Sequence, residues 1–210
     1  FQQTEDKPEA VATIPMLSLS DIPADQEFYS VEETEVAGVP FIFHPQFTNG
    51  IVYTNWYFDL RKLPKKQIPY ASLLAYLLGK QPTEKYGFGA LDNQLNIHTG
   101  GFSAELHNFL ANRNDGEMSP KLTISARSTL AKTARMTGLL FEILLNSRWD
   151  DAGRLKSLLI RLHSNMEADI KQNGLNYARI RATSYISNSG SFAELSGGLD
   201  YFHFLSRLVE

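Results

Sequence analysis

The sequence predicts an α+β fold: a mostly antiparallel sheet of about four to six strands with helices packed on one face, an αβ roll. Three observations carry that expectation. Segments rich in β-branched and aromatic residues, bounded by turn chemistry, occur in two pairs (36–43 with 51–60, and 102–110 with 121–127). Stretches with apolar residues at i, i+3, i+4 and i+7 follow each pair. The order is therefore hairpin, helices, hairpin, helices.

The first segment, Phe1 to about Ser30, carries Pro8, Pro15 and Pro23. Its centre, Ile14 to Pro23 (IPMLSLSDIP), alternates apolar residues between prolines and reads as an extended strap on a surface. Residues 1–30 are thus expected to be an extended strap, and residues 31–210 a single domain. Val36 to Phe43 is β-like, Asn49-Gly50 has turn chemistry, and Ile51 to Leu60 (IVYTNWYFDL) is apolar on both alternating faces, so the two strands are expected to pair as a hairpin.

Pro64 opens a helical stretch with Tyr70, Leu73, Leu74, Leu77 and Leu78 on one stripe and Gly79 as its stop. A second helix is expected from Thr83 to about His98, with Tyr86, Leu91 and Leu95 inward and Gly100-Gly101 beyond its end. Phe102 to Leu110 and Lys121 to Arg127 form the second hairpin, around a loop at Asn112 to Pro120. Leu130 to Asn146 places Leu130, Ala134, Phe141 and Leu145 on one face. Asp150-Asp151 supplies a cap and a first-turn acid for a helix carrying Leu155, Leu158, Leu159, Leu162, Met166 and Ile170. Leu175 to Ile186 is a shorter helix, and Phe192 to Val209 a last one with Leu195, Leu199, Phe202, Leu205 and Leu208 on a stripe.

Composition narrows the function classes. The chain has 210 residues, 43 % of them hydrophobic and 20 % charged, which suits a buried core and not disorder. It has no cysteine, which removes disulfides, Cys zinc sites, iron–sulfur clusters and a Cys nucleophile. That leaves the compartment open. A net charge of −3 provides no field for nucleic acid or an anionic membrane, and neither is expected as a partner. Residues 1–40 carry nine acids and one base, whereas 121–161 carry eight bases and three acids. An acidic leader and solvated basic helix faces account for this; a leader or partner domain lying across those helices is the sharper reading. No stretch reaches the roughly 18–20 apolar residues of a membrane span, and the polar run Phe1 to Glu9 is no signal peptide. The start at Phe1 without Met reads as a cut from something longer.

Chemistry is sparse. The histidines are His44, His98, His107, His163 and His203, and none sits at a spacing that puts two zinc ligands and a base on one helical face. Glu105 and His107 share a strand face and read as a surface ion pair. His98 reads as a helix C-cap and His203 as a core-edge residue. No Gly-x-Ser-x-Gly elbow occurs; Ser187 to Ser191 reads as a loop, and Ser196-Gly197-Gly198 as close helix packing, not a phosphate cradle. Tyr53, Trp56, Tyr57 and Phe58 read as a packing face, since the strand lacks the Lys and Arg that base stacking would need beside it. No catalytic, metal or cofactor residue is assigned.

Several spaced motifs nevertheless occur in a specific order: IPMLSLSDIP, VPFIFHPQFTNGIVYTNWYFDL, IPYASLLAYLLGK, LNIHTGGFSAEL and SGSFAELSGGLDYFHFLSRL. This pattern, from about Ile14 to Leu208, resembles the pitrilysin/insulinase-type zinc metallopeptidases, and within them the presequence-protease branch. In that family four homologous α+β domains form two bowl-shaped halves around a closed chamber. The inverted zinc motif lies in the first domain. The resemblance is to the third, non-catalytic domain with the end of the preceding linker. It implies a piece of chamber wall that packs against sister domains, with zinc held elsewhere in the parent protein and unfolded peptides enclosed by the whole enzyme. The fragment alone is then expected to be inactive. Two other readings stand beside it. One is a free-standing peptide-binding module of the same fold that works by strand addition. The other is an unrelated hydrolase with an Asp/His/Ser site not visible in sequence order.

Overall fold

Ala37 (φ 53°) and Gly38 (φ 80°) form the two-residue turn between β1 (Glu32–Val36) and β2 (Val39–Phe43), with Val36 opposite Val39. Two successive positive φ values give the turn the twist that matches a tight hairpin, and Gly tolerates this while Ala is strained by it. In the computed structural model, residues 7–11, 13–22, 29–111 and 117–210 are described. They fall into two compact units, Phe1–Phe47 and Thr48–Glu210.

The first unit holds a short helical turn, α1 (Pro8–Val11), a 3₁₀ turn at Leu19–Asp21 and the β1–β2 hairpin. The strap at Ile14 to Pro23 is thus interrupted by the 3₁₀ turn, where Ser18 N–H donates to Asp21 Oδ2 at 2.8 Å. Pro23 itself lies outside the described residues. The expected pairing of 36–43 with 51–60 does not occur: β2 pairs back onto β1. The local turn captures β2, and Pro40, which has no N–H to give, marks it as a strand with a free edge.

The second unit is built on a three-stranded antiparallel sheet in the order β3-β5-β4, where β3 is Ile51–Asp59, β4 Gly101–Leu110 and β5 Met118–Thr129. Asn49 (φ 51°) and Gly50 (φ 73°) make the turn that starts β3, as their chemistry predicts. The β4–β5 hairpin forms as expected; the tip at 112–116 lies outside the described residues. Across the described residues the five strands form two sheets, two- and three-stranded, and every pairing is antiparallel.

One face of the sheet is covered by α2 (Ile68–Leu77), α3 (Phe88–His98) and α4 (Thr133–Asn146). Ala75, Leu78, Leu91, Leu95, Ile124 and Ile143 are among the side chains buried together there. Gly79 stops α2 at φ 74°. The second helix starts at Phe88, not Thr83. Thr83 instead closes a small turn, its Oγ1 accepting from Tyr86 N at 3.1 Å, and bridges to Ser147. The expected inward face is reversed: Leu130, in a 3₁₀ turn at Leu130–Lys132, and Phe141 and Leu145 of α4 are exposed, while Met136, Leu139, Leu140 and Ile143 are buried.

A helical bundle adjoins through α2. It comprises α5 (Ala152–Gln172), α6 (Gly174–Ser184), α7 (Asn188–Gly197) and α8 (Leu199–Val209). Asp151 caps α5, its side chain accepting from Arg154 N at 2.9 Å, an arrangement worth about 1 kcal/mol. Met166, Tyr177, Tyr201, Phe204 and Leu205 form the bundle core, with Leu73 of α2 packed against it. The expected single helix over 192–209 is two helices meeting at Gly198. Ser187 to Ser191 is not a loop: Ser187 caps α7 by accepting from Gly190 N at 2.9 Å. The Leu-Ser-Gly-Gly segment is a helix junction, and the close packing expected at both glycines holds at Gly198 alone. A Cβ on Gly198 would lie 2.5 Å from Glu194 Oε2.

Candidate functional site

The free edge of β4 is the chemically distinctive place in the second unit. Leu60 N donates to Pro120 O, and Leu130 N donates to Gly50 O, both at 2.9 Å. Antiparallel pairs alternate between bonded and non-bonded, so β3 bonds to the even-numbered residues of β5 and β4 to the odd-numbered ones. The register pairs Thr123 with Glu105 and Ser125 with Ser103. The backbone N–H and C=O of Phe102, Ala104 and Leu106 therefore turn away from the sheet. Among the described residues β4 pairs with β5 alone, and no backbone hydrogen bond reaches those groups.

A cavity of about 750 Å³ lies along this edge. Its walls come from β4, the C-terminal end of α2 and α3, with Leu162, Ser196 and Tyr201 contributed by α5, α7 and α8. Small side chains make the room: Ser72, Ala75, Gly79, Gly101, Ser103 and Ala104 all line it. Gly79 is also required by close approach, since a Cβ there would meet the Phe102 ring at 2.7 Å. Tyr201 is buried, which pushes its phenol up to about 12. Its hydroxyl neighbours Ser72 Oγ, which donates to Ser196 O at 2.6 Å and keeps its lone pairs facing the phenol. Lys80 at the rim has its Nζ 4.2 Å from the Tyr76 ring centroid, and burial lowers its pKa.

The residues weighed from sequence are scattered. Glu105 and His107 lie 3.6 Å apart on the exposed sheet face, the surface pair expected of them. His98 ends α3, but the last turn is closed by Thr99, whose Oγ1 donates to Leu95 O at 2.8 Å. His203 is exposed beside Phe202. His163 Nε2 and Ser206 Oγ are 3.0 Å apart and look at first like a base and its nucleophile. Ser206 already donates to Phe202 O within α8, so His163 is the donor of that contact and the serine is not activated. Among the described residues no group of three or more His, Asp or Glu side chains could hold a metal ion. No helix among them is long and apolar enough to cross a membrane.

The aromatic run of β3 divides between the two faces of the sheet. Trp56 packs toward the core, 4.9 Å from Phe141, while Tyr53 and Tyr57 stay exposed on the open face. Tyr57 reaches across β5 to an edge-to-face contact with Phe109 at 5.8 Å, a pair that contributes about 1 kcal/mol. The polar rows beside it, Lys121 to Asp59 at 3.1 Å and Ser125 to Asn55 at 2.7 Å, satisfy one another. Sequence reasoning missed the β4 cleft. Its one legible signal was the Gly100-Gly101 step into a strand that carries Ser103 and Ala104.

Comparison with known proteins agrees with the motif order. The family described as "Peptidase M16C associated" matches residues 1–208. Protein HypA of Clostridium perfringens is 36 % identical over 204 residues, covering 97 % of this chain and 21 % of its own length. Presequence protease 1, chloroplastic/mitochondrial, of Arabidopsis thaliana is 28 % identical over 207 residues, covering 99 % of this chain and 19 % of its own length. The chain thus spans about a fifth of the length of these curated relatives. A crystal structure of a conserved protein from Enterococcus faecalis V583 shares the fold, with a TM-score of 0.57 at 15 % identity over 85 % of this chain and 45 % of that one. The α+β roll, the ordered motifs and the family match over nearly every residue agree: the chain belongs to the peptidase M16C associated family, within the pitrilysin/insulinase-type peptidases.

Proposed function

We propose that this chain is a non-catalytic wall domain of a zinc-dependent oligopeptide-degrading metalloprotease. In this reading residues 1–30 are the end of an interdomain linker and residues 31–210 one domain that packs against its sister domains. Zinc and the cutting residues belong to the parent's first domain. This chain helps to enclose unfolded peptides, and hinged closure of the chamber gates their entry. The observation that carries the reading is that the relatives match this chain from end to end yet are about five times as long. The exposed apolar side chains of Leu130, before α4, and of Phe141 and Leu145 on it support the reading, because such a patch on a domain of a larger protein is a surface for a neighbour.

The test is a metal and activity assay. The 210-residue chain should hold less than a tenth of an equivalent of zinc, a level about tenfold below saturation of one site. It should leave a quenched-fluorescence unfolded peptide intact, while the longer protein containing it binds zinc and cleaves that peptide. Stoichiometric zinc or hydrolysis by the chain alone would overturn the proposal. A second reading, a peptide-binding module without protease activity, is favoured by the open β4 edge beside its cleft.

A further inference from the structure

We propose that a second, smaller pocket, between the start of α2 and the N-terminal half of α7, binds the C-terminal residue of a peptide, with an apolar side chain inside and the free α-carboxylate at the mouth. The inference rests on the reading that this domain meets peptides, and not on zinc or hydrolysis in a parent protein. The pocket has a volume of about 270 Å³. That is just under the roughly 300–1,000 Å³ of sites for drug-sized ligands, so it holds one residue and not a longer segment.

Burial divides the lining into a floor and a mouth. Ile68, Pro120 and Phe192 are buried and make an apolar floor, with Leu63 and Leu195 half-buried beside them. Arg61 and Lys65 are exposed and stand at the mouth. Among the described residues no Asp or Glu lines the pocket. Arg61 shares Asp59 with Lys121, whereas Lys65 has no carboxylate within ion-pair distance among the described residues. On α7, Asn188, Ser191, Phe192 and Leu195 stand at i, i+3, i+4 and i+7, so one face of that helix lines the pocket, with its polar end toward the helix N-terminus. The positive end of the helix dipole adds to the two cations. An apolar interior under a positive rim is complementary to an apolar group that carries one negative charge. A peptide C-terminus has both on the same residue. Its amide also offers Ser191 a polar partner, which a bare acyl chain does not. The contacts are ionic, hydrogen-bonded and apolar; no covalent step is involved.

The probe is N-acetyl-L-leucine, with its neutral amide, N-acetyl-L-leucinamide, as the comparison. Both are titrated into the 210-residue chain and followed by amide NMR shifts. The acid should bind with a Kd of about 1 mM, the scale set by its few atoms, and at least about tenfold more tightly than the amide. Shifts should centre on Leu63 to Ile68 and Ser191 to Leu195. Raising salt from about 0.02 to about 0.5 M should weaken the acid at least about threefold and leave the amide unchanged. Lys65→Gln should weaken the acid about fivefold, while Lys62→Gln, at a cation outside the pocket lining, should change it less than about twofold. Equal binding of acid and amide would overturn the proposal, as would no binding of the acid at about 20 mM. Octanoate binding more tightly than the acid would make the occupant an acyl chain, and shifts centred on Phe102 to Leu106 would put the site at β4; either result overturns it. So would equal losses from Lys62→Gln and Lys65→Gln, because the attraction would then be a diffuse field and not a site. None of these readouts depends on zinc or hydrolysis, so failure here leaves the wall-domain reading standing.

Discussion

Arg181 on α6 and Glu194 on α7 form an ion pair at 2.9 Å in which the carboxylate side chain is only 2 % exposed. The same Glu194 oxygen accepts from Asp200 N at 2.8 Å, and Arg181 also reaches Asp200 at 3.0 Å. One carboxylate therefore holds the break between α7 and α8 to the helix before them. Removing one partner strands the other in a medium that solvates it poorly. Arg181→Met should cost about 3 kcal/mol in urea unfolding, and the double variant Arg181→Met with Glu194→Leu should recover most of that loss. A single variant within ~0.5 kcal/mol of the parent chain would show that solvent reaches the pair after all.

Two helical glycines should respond in opposite directions to alanine. A Cβ on Gly190 would collide with the carbonyl of Thr183 and crowd Ser187 Oγ, the atom that caps α7. Backbone cannot swing aside as a side chain can, so Gly190→Ala should cost several kcal/mol, on the order of 3. Gly138, inside α4, has open space where its Cβ would sit. Gly138→Ala should stabilise by about 0.5–1 kcal/mol through helix propensity alone. Thermal melts of the two variants on either side of the parent chain would check both signs.

The helix α4 separates an apolar stripe from a buried one. Leu140 is fully buried, and Leu140→Ala should cost about 2–5 kcal/mol. Leu145 is 75 % exposed, and Leu145→Lys should change stability by less than about 0.5 kcal/mol. In the longer protein the order should invert for assembly: Leu145→Lys, silent in the isolated chain, should loosen domain packing and raise protease sensitivity there. Equal destabilisation by both variants in the isolated chain would mean that the stripe is core.

That reversal marks the limit of periodicity as a guide. Local chemistry was readable residue by residue: Asp151 caps α5, Gly79 stops α2, Asn49-Gly50 turns the chain, and β4 meets β5 across a short loop. What failed was choice among distant partners. On α4 both the Phe141–Leu145 stripe, with Leu130 in the turn before it, and the Met136–Leu140–Ile143 stripe fit a helical period, and only contact with the sheet selects the second. Strand β3 pairs with β5, whose residues follow some seventy positions later, and no local signal announces that register. The β4 cleft is harder still. It needs an edge left open by strand order and walls drawn from α2, α3, α5, α7 and α8, and although most of its lining residues fall inside the quoted motifs, no local pattern announces that they meet.

Alkali should expose the bundle core through two tyrosines. Burial pushes the phenols of Tyr177 and Tyr201 up to about 12, and for Tyr177 the Asp169 carboxylate, which accepts its hydroxyl at 2.7 Å, adds to the effect. A raised pKa in the folded state favours the neutral form, so this contribution to stability is fully present below the unfolded value of about 10 and is lost as pH rises toward 12. Urea midpoints should accordingly fall between pH 10 and 12, and absorbance at ~295 nm should show these two tyrosines ionising last or only with unfolding. Tyr177→Phe removes one of the two groups and should flatten the decline while lowering stability at neutral pH, since Asp169 loses its donor. At the acid end the sign is opposite: the Tyr177 and Asn173 donors hold Asp169 below the usual carboxylate range, so its contribution is present above the unfolded value and is lost as pH falls through the folded one. A Tyr177→Phe chain whose midpoint fell between pH 10 and 12 as steeply as that of the parent would place the alkaline transition elsewhere in the molecule.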